Sequence, residues 1–162
     1  MKTIKDIFNA IFGVVVAAIV IIITFFILIF VFIGEVFKYP ARARQNNMYK
    51  EFLEGLEGEQ FFCYNNRRAT KAFIENEVLP LLDPRIKIIY LNGKMPVSEY
   101  ELLGVKTMLY DIEDRKGFPY LLKVKNGKVY DESINNTTYI ALQNPKQMEL
   151  LLNKINVFFN IG

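Results

Sequence analysis

Hydrophobic residues form one uninterrupted block near the start of the chain and short, separated runs in the rest. From Ile7 to Ile33 the chain carries no charged residue over 27 positions. As a helix this segment would be about 40 Å long, against a bilayer hydrocarbon core of about 30 Å. The apolar core of a cleaved signal peptide is shorter and precedes a small-residue cleavage site, which Phe32–Phe37 does not offer. The pattern predicts one transmembrane helix within an anchor over residues 1–38, with the lipid bilayer as its partner.

The segment 39–58 is predicted to be a juxtamembrane helix or linker. Tyr39-Pro40 is expected to end the anchor, because proline cannot continue a helix hydrogen-bond ladder. Met48, Phe52 and Leu56 then recur at helical spacing. Basic residues of this segment would either lie against anionic headgroups or be solvated, and the pattern leaves both open.

Beyond residue 58 the hydrophobic runs alternate between strand and helix periods. The predicted elements are a strand over 59–64, a helix over 67–82, a strand over 86–91, a helix from a capping box at Ser98–Glu101 to about Ile112, a strand over 120–125, a hairpin at Asn126-Gly127 with a partner strand over 128–130, a polar loop over 131–143 with one possible helical turn, and a last helix after Asn144-Pro145. A strand–helix–strand unit pairs in parallel, and a hairpin adds an antiparallel strand. We therefore predict an α/β domain over 59–162, with helices on both faces of a small mixed sheet.

Composition removes several classes of function. The 162 residues carry a net charge of +3 with both signs mixed, which is too weakly basic for a nucleic-acid-binding domain. The chain contains no histidine, so histidine-based metal sites and Ser-His-Asp or Cys-His catalysis are excluded. The acidic runs come without metal-ligand partners, and no metal or other cofactor is expected. The single cysteine cannot form an intrachain disulfide, which favours a reducing compartment.

The basic residues at the two ends of the anchor predict its orientation. Lys2 and Lys5 precede the apolar block, whereas Lys38, Arg42, Arg44 and Lys50 follow it. By the positive-inside rule the C-terminal domain is predicted to face the cytoplasm.

Candidate chemistry is concentrated in Gln60–Lys71, which is predicted to be a strand that stops at Cys63, a turn, and a helix. Cys63 could be a nucleophile, its thiolate stabilised by Arg67, Arg68 and the helix N-terminus, or an inert core residue. The turn Asn65-Asn66-Arg67-Arg68 could instead hold a phosphate or carboxylate. It has neither a glycine-rich phosphate loop nor the Cys-x5-Arg spacing of cysteine-dependent phosphatases.

The element order, with Cys63 near the first strand's end and Phe118-Pro119 before the hairpin, resembles the thioredoxin-like superfamily over about residues 59–159. The resemblance implies that Cys63 matches the first catalytic cysteine, that Asn66 stands at the second position as serine does in monothiol glutaredoxins, and that Pro119 is the cis-proline beside them. The run from Cys63 to Ala69 is also locally similar to the turn of arsenate-reductase-like members. The resolving cysteine and the tryptophan that often precedes the pair are absent from this chain.

Three functions are consistent with these features. The first is a single-pass membrane protein whose degenerate thioredoxin-like domain binds a partner protein or an anionic ligand, with Pro119 placing backbone for an extended substrate. The second is a monothiol oxidoreductase in which Cys63 attacks a disulfide and glutathione resolves the mixed species. The third is an accessory to a membrane-associated enzyme of cell-surface polysaccharide synthesis. The predicted anchor is the only feature that supports this third function.

Overall fold

The first element of the computed structural model is a helix, α1, over Ile4–Gly55. The structure describes residues 3–161, without the side chains of residues 5–8, 10 and 35–43. The only helix of these described residues that is long and apolar enough to cross a membrane is α1, through the 24 residues Ile11–Gly34. They amount to about 36 Å of helix. The helix does not end at Tyr39-Pro40 as predicted, since a long helix can tolerate the one backbone hydrogen bond that a proline removes.

The chain divides into two compact units, Met1–Asn47 and Met48–Gly162. The last two turns of α1 therefore belong to the second unit. Leu53 and Leu56 are buried there, and Tyr49 and Phe52 pack against the same core. Of the predicted juxtamembrane helix or linker over 39–58, residues 39–55 are helical, and the apolar side chains of the C-terminal half are part of the domain core. The side chains of Lys2, Lys5, Lys38 and Arg42, on which the predicted orientation partly rests, lie outside the described residues.

The second unit contains a mixed five-stranded sheet in the order β3-β2-β1-β4-β5. Its strands are β1 (Gln60–Asn65), β2 (Ile86–Asn92), β3 (Met95–Val97), β4 (Tyr120–Lys125) and β5 (Lys128–Ser133). β1 and β2 are parallel, and the pairs β2–β3, β1–β4 and β4–β5 are antiparallel. The predicted α/β class with a mixed sheet is confirmed, and so is the hairpin at Asn126-Gly127.

Helices cover both faces of this sheet. They are α2 (Arg68–Phe73, continued by a π-helical turn over Ile74–Val78 and a 3₁₀ turn over Leu79–Leu81), α3 (Leu102–Tyr110), α4 (Asn135–Gln143) and α5 (Met148–Phe159). Alternation along β1 sends Phe61 and Cys63 to the face packed by α3 and the end of α1, and Phe62 and Tyr64 to the face packed by α2, α4 and α5.

Three predicted elements are different in the structure. The helix predicted from a capping box at Ser98 begins instead at Leu102, and the hydroxyl of Ser98 accepts a hydrogen bond from the N–H of Tyr100. Residues 95–97, predicted to lie outside the strands, form the short edge strand β3. The predicted polar loop over 131–143 contains the end of β5 and all of α4, because Ile134, Thr138 and Ala141 are buried against the core.

Candidate functional site

The carboxyl end of β1 lies beside the amino end of β4, and the predicted site residues lie on the segments that meet there. The last register pair between the two strands is Cys63 with Tyr120, the residue that follows Pro119. The Phe118–Pro119 peptide bond is cis. The predicted proximity of Cys63 to the Phe118-Pro119 dipeptide and the predicted cis bond are both confirmed.

Cys63 is not at the end of its strand. β1 continues for two residues to Asn65, one residue beyond the predicted strand over 59–64, and the description of a strand that stops at Cys63 is wrong. The Cys63 side chain is fully buried in the core that contains Ile89 and Leu122. Burial raises the pKa of this thiol. Because a nucleophilic cysteine has to be an accessible thiolate, this environment favours the inert-core interpretation.

The turn that follows β1 is held by short polar contacts. The Asn65 side-chain oxygen accepts a hydrogen bond from the N–H of Arg67 at 3.3 Å, as in an Asx turn. The Asn66 amide donates to the side-chain oxygen of Asn92, at the end of β2, at 3.3 Å. The guanidinium of Arg67 reaches the hydroxyl of Tyr139, in α4, at 3.5 Å. The turn therefore connects the ends of two parallel strands with a helix from the C-terminal part of the chain.

Arg67 and Arg68 are both exposed, and neither forms an ion pair with any side chain that the structure describes. The nearby Lys71, by contrast, lies 3.8 Å from Glu75 and 5.1 Å from the centre of the Tyr90 ring. Two cationic groups at this edge of the sheet are thus available for an anionic group of a ligand.

The backbone before β4 also has free hydrogen-bonding groups. Pro119 is buried, and its carbonyl accepts the N–H of Ile134 at 3.0 Å. Phe118 is half-buried, and neither its N–H nor its C=O is paired with another described residue. An unpaired N–H and C=O next to a sheet can bind an extended peptide by strand-like pairing.

An open cleft lies next to Phe118. Its volume is about 300 Å³ and it is lined by Leu109, Tyr110, Ile112, Arg115, Phe118 and Tyr120. The lining is mostly apolar, and Arg115 is its one charged residue. A cleft of this size can accommodate a large apolar side chain of a bound segment.

Sequence reasoning placed Asn65, Asn66, Arg67, Arg68 and Pro119 at this edge but missed Asn92, Tyr139 and the cleft. The Asn92-Gly93 dipeptide marks the end of a strand parallel to β1, and the carboxyl ends of parallel strands meet at one edge. That rule could have found Asn92. Tyr139 lies in α4, where the sequence predicted a polar loop with at most one helical turn, so no sequence signal pointed to it.

No family model, curated protein or solved structure that was compared with this chain matches it. Among the described residues there is also no group of three or more acidic or cysteine side chains that could hold a metal ion.

Proposed function

We propose that this chain is a single-pass membrane protein that presents a thioredoxin-like domain on the cytoplasmic side, and that the domain binds an extended, acidic segment of a partner protein. The proposed site is the edge where β1 ends and β4 begins. The domain would act by binding, without thiol chemistry.

The fold part of this proposal is supported by strand order. Without the short hairpin strand β3, the sheet order is β2-β1-β4-β5, with the first two strands parallel and the last two joined by a hairpin. This is the arrangement that the thioredoxin-like resemblance implies. The membrane part is supported by the apolar segment Ile11–Gly34, and the orientation by the excess of basic residues that follow it.

The observation that carries the binding proposal is the combination of free groups at one edge of the sheet. The N–H and C=O of Phe118 can pair with an extended backbone, while Arg67 and Arg68 can bind carboxylates. The oxidoreductase alternative has less support, because the thiol of Cys63 is enclosed in the core.

Peptide binding by the full chain in lipid nanodiscs tests this proposal. The probes are fluorescent peptides of about twelve residues that alternate valine with glutamate, and matched peptides with glutamine in place of glutamate. We expect anisotropy to show tighter binding of the acidic series, and Arg68→Ala to weaken that binding about tenfold, as for one lost charge-assisted hydrogen bond.

The matched control is Lys146→Ala, which removes an exposed positive charge from the segment before α5. It should leave peptide binding unchanged. Equal affinity for the acidic and neutral peptides, or equal losses in Arg68→Ala and Lys146→Ala, would contradict the proposed site.

Labelling of an introduced cysteine at the exposed Tyr110 with a membrane-impermeant maleimide, before and after cell permeabilisation, tests the orientation.

A further inference from the structure

The two edge strands of the sheet differ in how they are protected against pairing. β3 has only three residues and carries Pro96 at its centre, which removes a backbone donor. β5 has six residues and no proline. The β5 edge is therefore the one at which another strand could be added.

The register of the β4–β5 hairpin identifies the free backbone groups of β5. Asn126 and Gly127 both have positive φ and form a two-residue loop, so Lys125 and Lys128 are a hydrogen-bonded pair. The alternation then directs the backbone groups of residues 128, 130 and 132 towards β4 and those of 129, 131 and 133 outwards. The N–H of Ser133 agrees with this, because it donates to the Asp114 carboxylate at 3.1 Å.

Of the three residues of β5 with outward backbone groups, Val129 and Asp131 are left without a partner. No described residue pairs with their outward N–H and C=O groups. An open hollow of about 490 Å³ runs along the same edge. Its lining includes the consecutive residues Lys128, Val129, Tyr130 and Asp131. The carboxylate of Asp131 accepts the N–H groups of Glu113 and Asp114 at 3.0 and 2.9 Å, so this loop covers the Ser133 end of β5. The backbone groups of Val129 and Asp131 and the adjoining hollow are left for an added strand.

The side chains of β5 are complementary to a second copy of the same strand. In an antiparallel pair centred on Tyr130, Val129 lies opposite Asp131 of the other copy, and these are the residues with outward backbone groups. Lys128 lies opposite Glu132 of the other copy, and the Tyr130 side chains face each other. Two opposite-charge pairs and one aromatic pair then coincide with four backbone hydrogen bonds.

We propose that β5 pairs with β5 of a second copy of this chain, antiparallel and centred on Tyr130, across a two-fold axis. Such an interface is isologous, so each favourable contact occurs twice. Confinement of the copies to one membrane would raise their effective concentration, which helps an interface of this small size.

Disulfide cross-linking of the full chain in membranes tests the register. Tyr130→Cys places two thiols in a directly opposed pair with Cα atoms about 4.5 Å apart, within disulfide range. We expect it to form a cross-linked dimer under mild oxidation. In Glu132→Cys alone the two thiols would be about 13 Å apart along the strands, so it should not cross-link. Glu132→Cys mixed with Lys128→Cys should do so. The wild-type chain controls for Cys63, which is buried.

Three further variants test which interactions stabilise the pairing. Val129→Pro, added to Tyr130→Cys, removes an outward N–H without removing a bond to β4, and should weaken dimerisation about tenfold or more, since two intermolecular hydrogen bonds are lost. Glu132→Lys places two lysines opposite each other and should weaken dimerisation similarly. The double variant Lys128→Glu with Glu132→Lys re-forms the opposite-charge pairs and should restore dimerisation. Glu132 also forms a 3.0 Å ion pair with Lys154 of its own chain, which the double variant does not restore. Rescue by the double variant would therefore assign the effect to the contact between the two copies.

Three outcomes would overturn the proposal. The first is no cross-link in folded Tyr130→Cys. The second is equal cross-linking of Tyr130→Cys and Glu132→Cys alone, which indicates random collision. The third is dimerisation that Val129→Pro leaves unchanged, which would place the interface elsewhere or assign this edge to a strand of another protein.

Discussion

Substitution of Gly104 by alanine tests the contact between α3 and the end of α1. A Cβ atom at this position would lie 2.5 Å from Cδ2 of Phe52 and 2.6 Å from its Cε2 and Cγ atoms. These distances are too short for any real contact, so the Phe52 ring or one of the helices would have to move. The Phe52 side chain is partly buried against the core and has limited freedom to do so.

Two opposite effects decide the magnitude. Overpacking of a core typically costs about 1–3 kcal/mol, whereas replacing glycine by alanine inside a helix gains about 1 kcal/mol. In the wild-type background we therefore expect Gly104→Ala to lower the free energy of unfolding by up to about 2 kcal/mol. In a Phe52→Ala background the obstacle is gone, and the same substitution should raise it by about 1 kcal/mol.

The assay is urea unfolding of the full chain in detergent micelles, followed by near-ultraviolet circular dichroism and tyrosine fluorescence. The chain has nine tyrosines and no tryptophan, and these signals report the folded domain more directly than total helicity. Wild type, the two single variants and the double variant form a double-mutant cycle. A stabilising effect of Gly104→Ala of equal size in both backgrounds would refute the predicted contact.

Two shorter predictions concern Cys63 and Glu57. Because Cys63 is fully buried and burial raises the pKa of its thiol, a maleimide at pH 8 should leave the folded chain unlabelled and react after denaturation; prompt labelling of the folded chain would contradict the burial. The Glu57 carboxylate accepts the N–H groups of Gly127 and Asn126 at 3.0 and 2.7 Å, and these bonds lower its pKa. A lowered pKa in the folded state means that Glu57 stabilises the fold above its ordinary pKa of 4.5 and loses this effect as the pH falls through the folded-state value. The difference in stability between wild type and Glu57→Gln should therefore shrink below about pH 4.5 in urea unfolding, and a difference that stays constant down to pH 3 would contradict the role of Glu57.

Elements with strong local signals could be predicted from the sequence, and elements that depend on burial could not. The hairpin at Asn126-Gly127 follows from two residues that tolerate positive φ, and both adopt it. α4, in contrast, begins with Asn135-Asn136-Thr137-Thr138, which are weak helix formers. It forms because Ile134, Thr138 and Ala141 are buried and because the Thr138 hydroxyl donates to the carbonyl of Ile134 at 2.9 Å.

The candidate site divides in the same way. The thioredoxin-like resemblance implied that Cys63 and the turn after it lie beside Phe118-Pro119, and the pairing of Cys63 with Tyr120 agrees with this. The sequence could not indicate how far β1 continues past Cys63, since Tyr64 and Asn65 are compatible with either a strand or a turn. Pairing of Tyr64 with Tyr90 and of Asn65 with Leu91 extends the strand. The Cys63 thiol is enclosed by the core residues packed around it, among them Ile89 and Leu122.

The amino-acid sequence by itself determined the apolar segment, the α/β class and the order of most elements, because charge-free length, hydrophobic period and turn residues act locally. Only the tertiary structure decided that the end of α1 packs into the domain core, that the lone thiol is inaccessible, and that the outward backbone groups of Val129 and Asp131 in β5 are left unpaired. Those features depend on which surfaces meet, and contacts between residues far apart in the chain leave no periodic signal in the sequence.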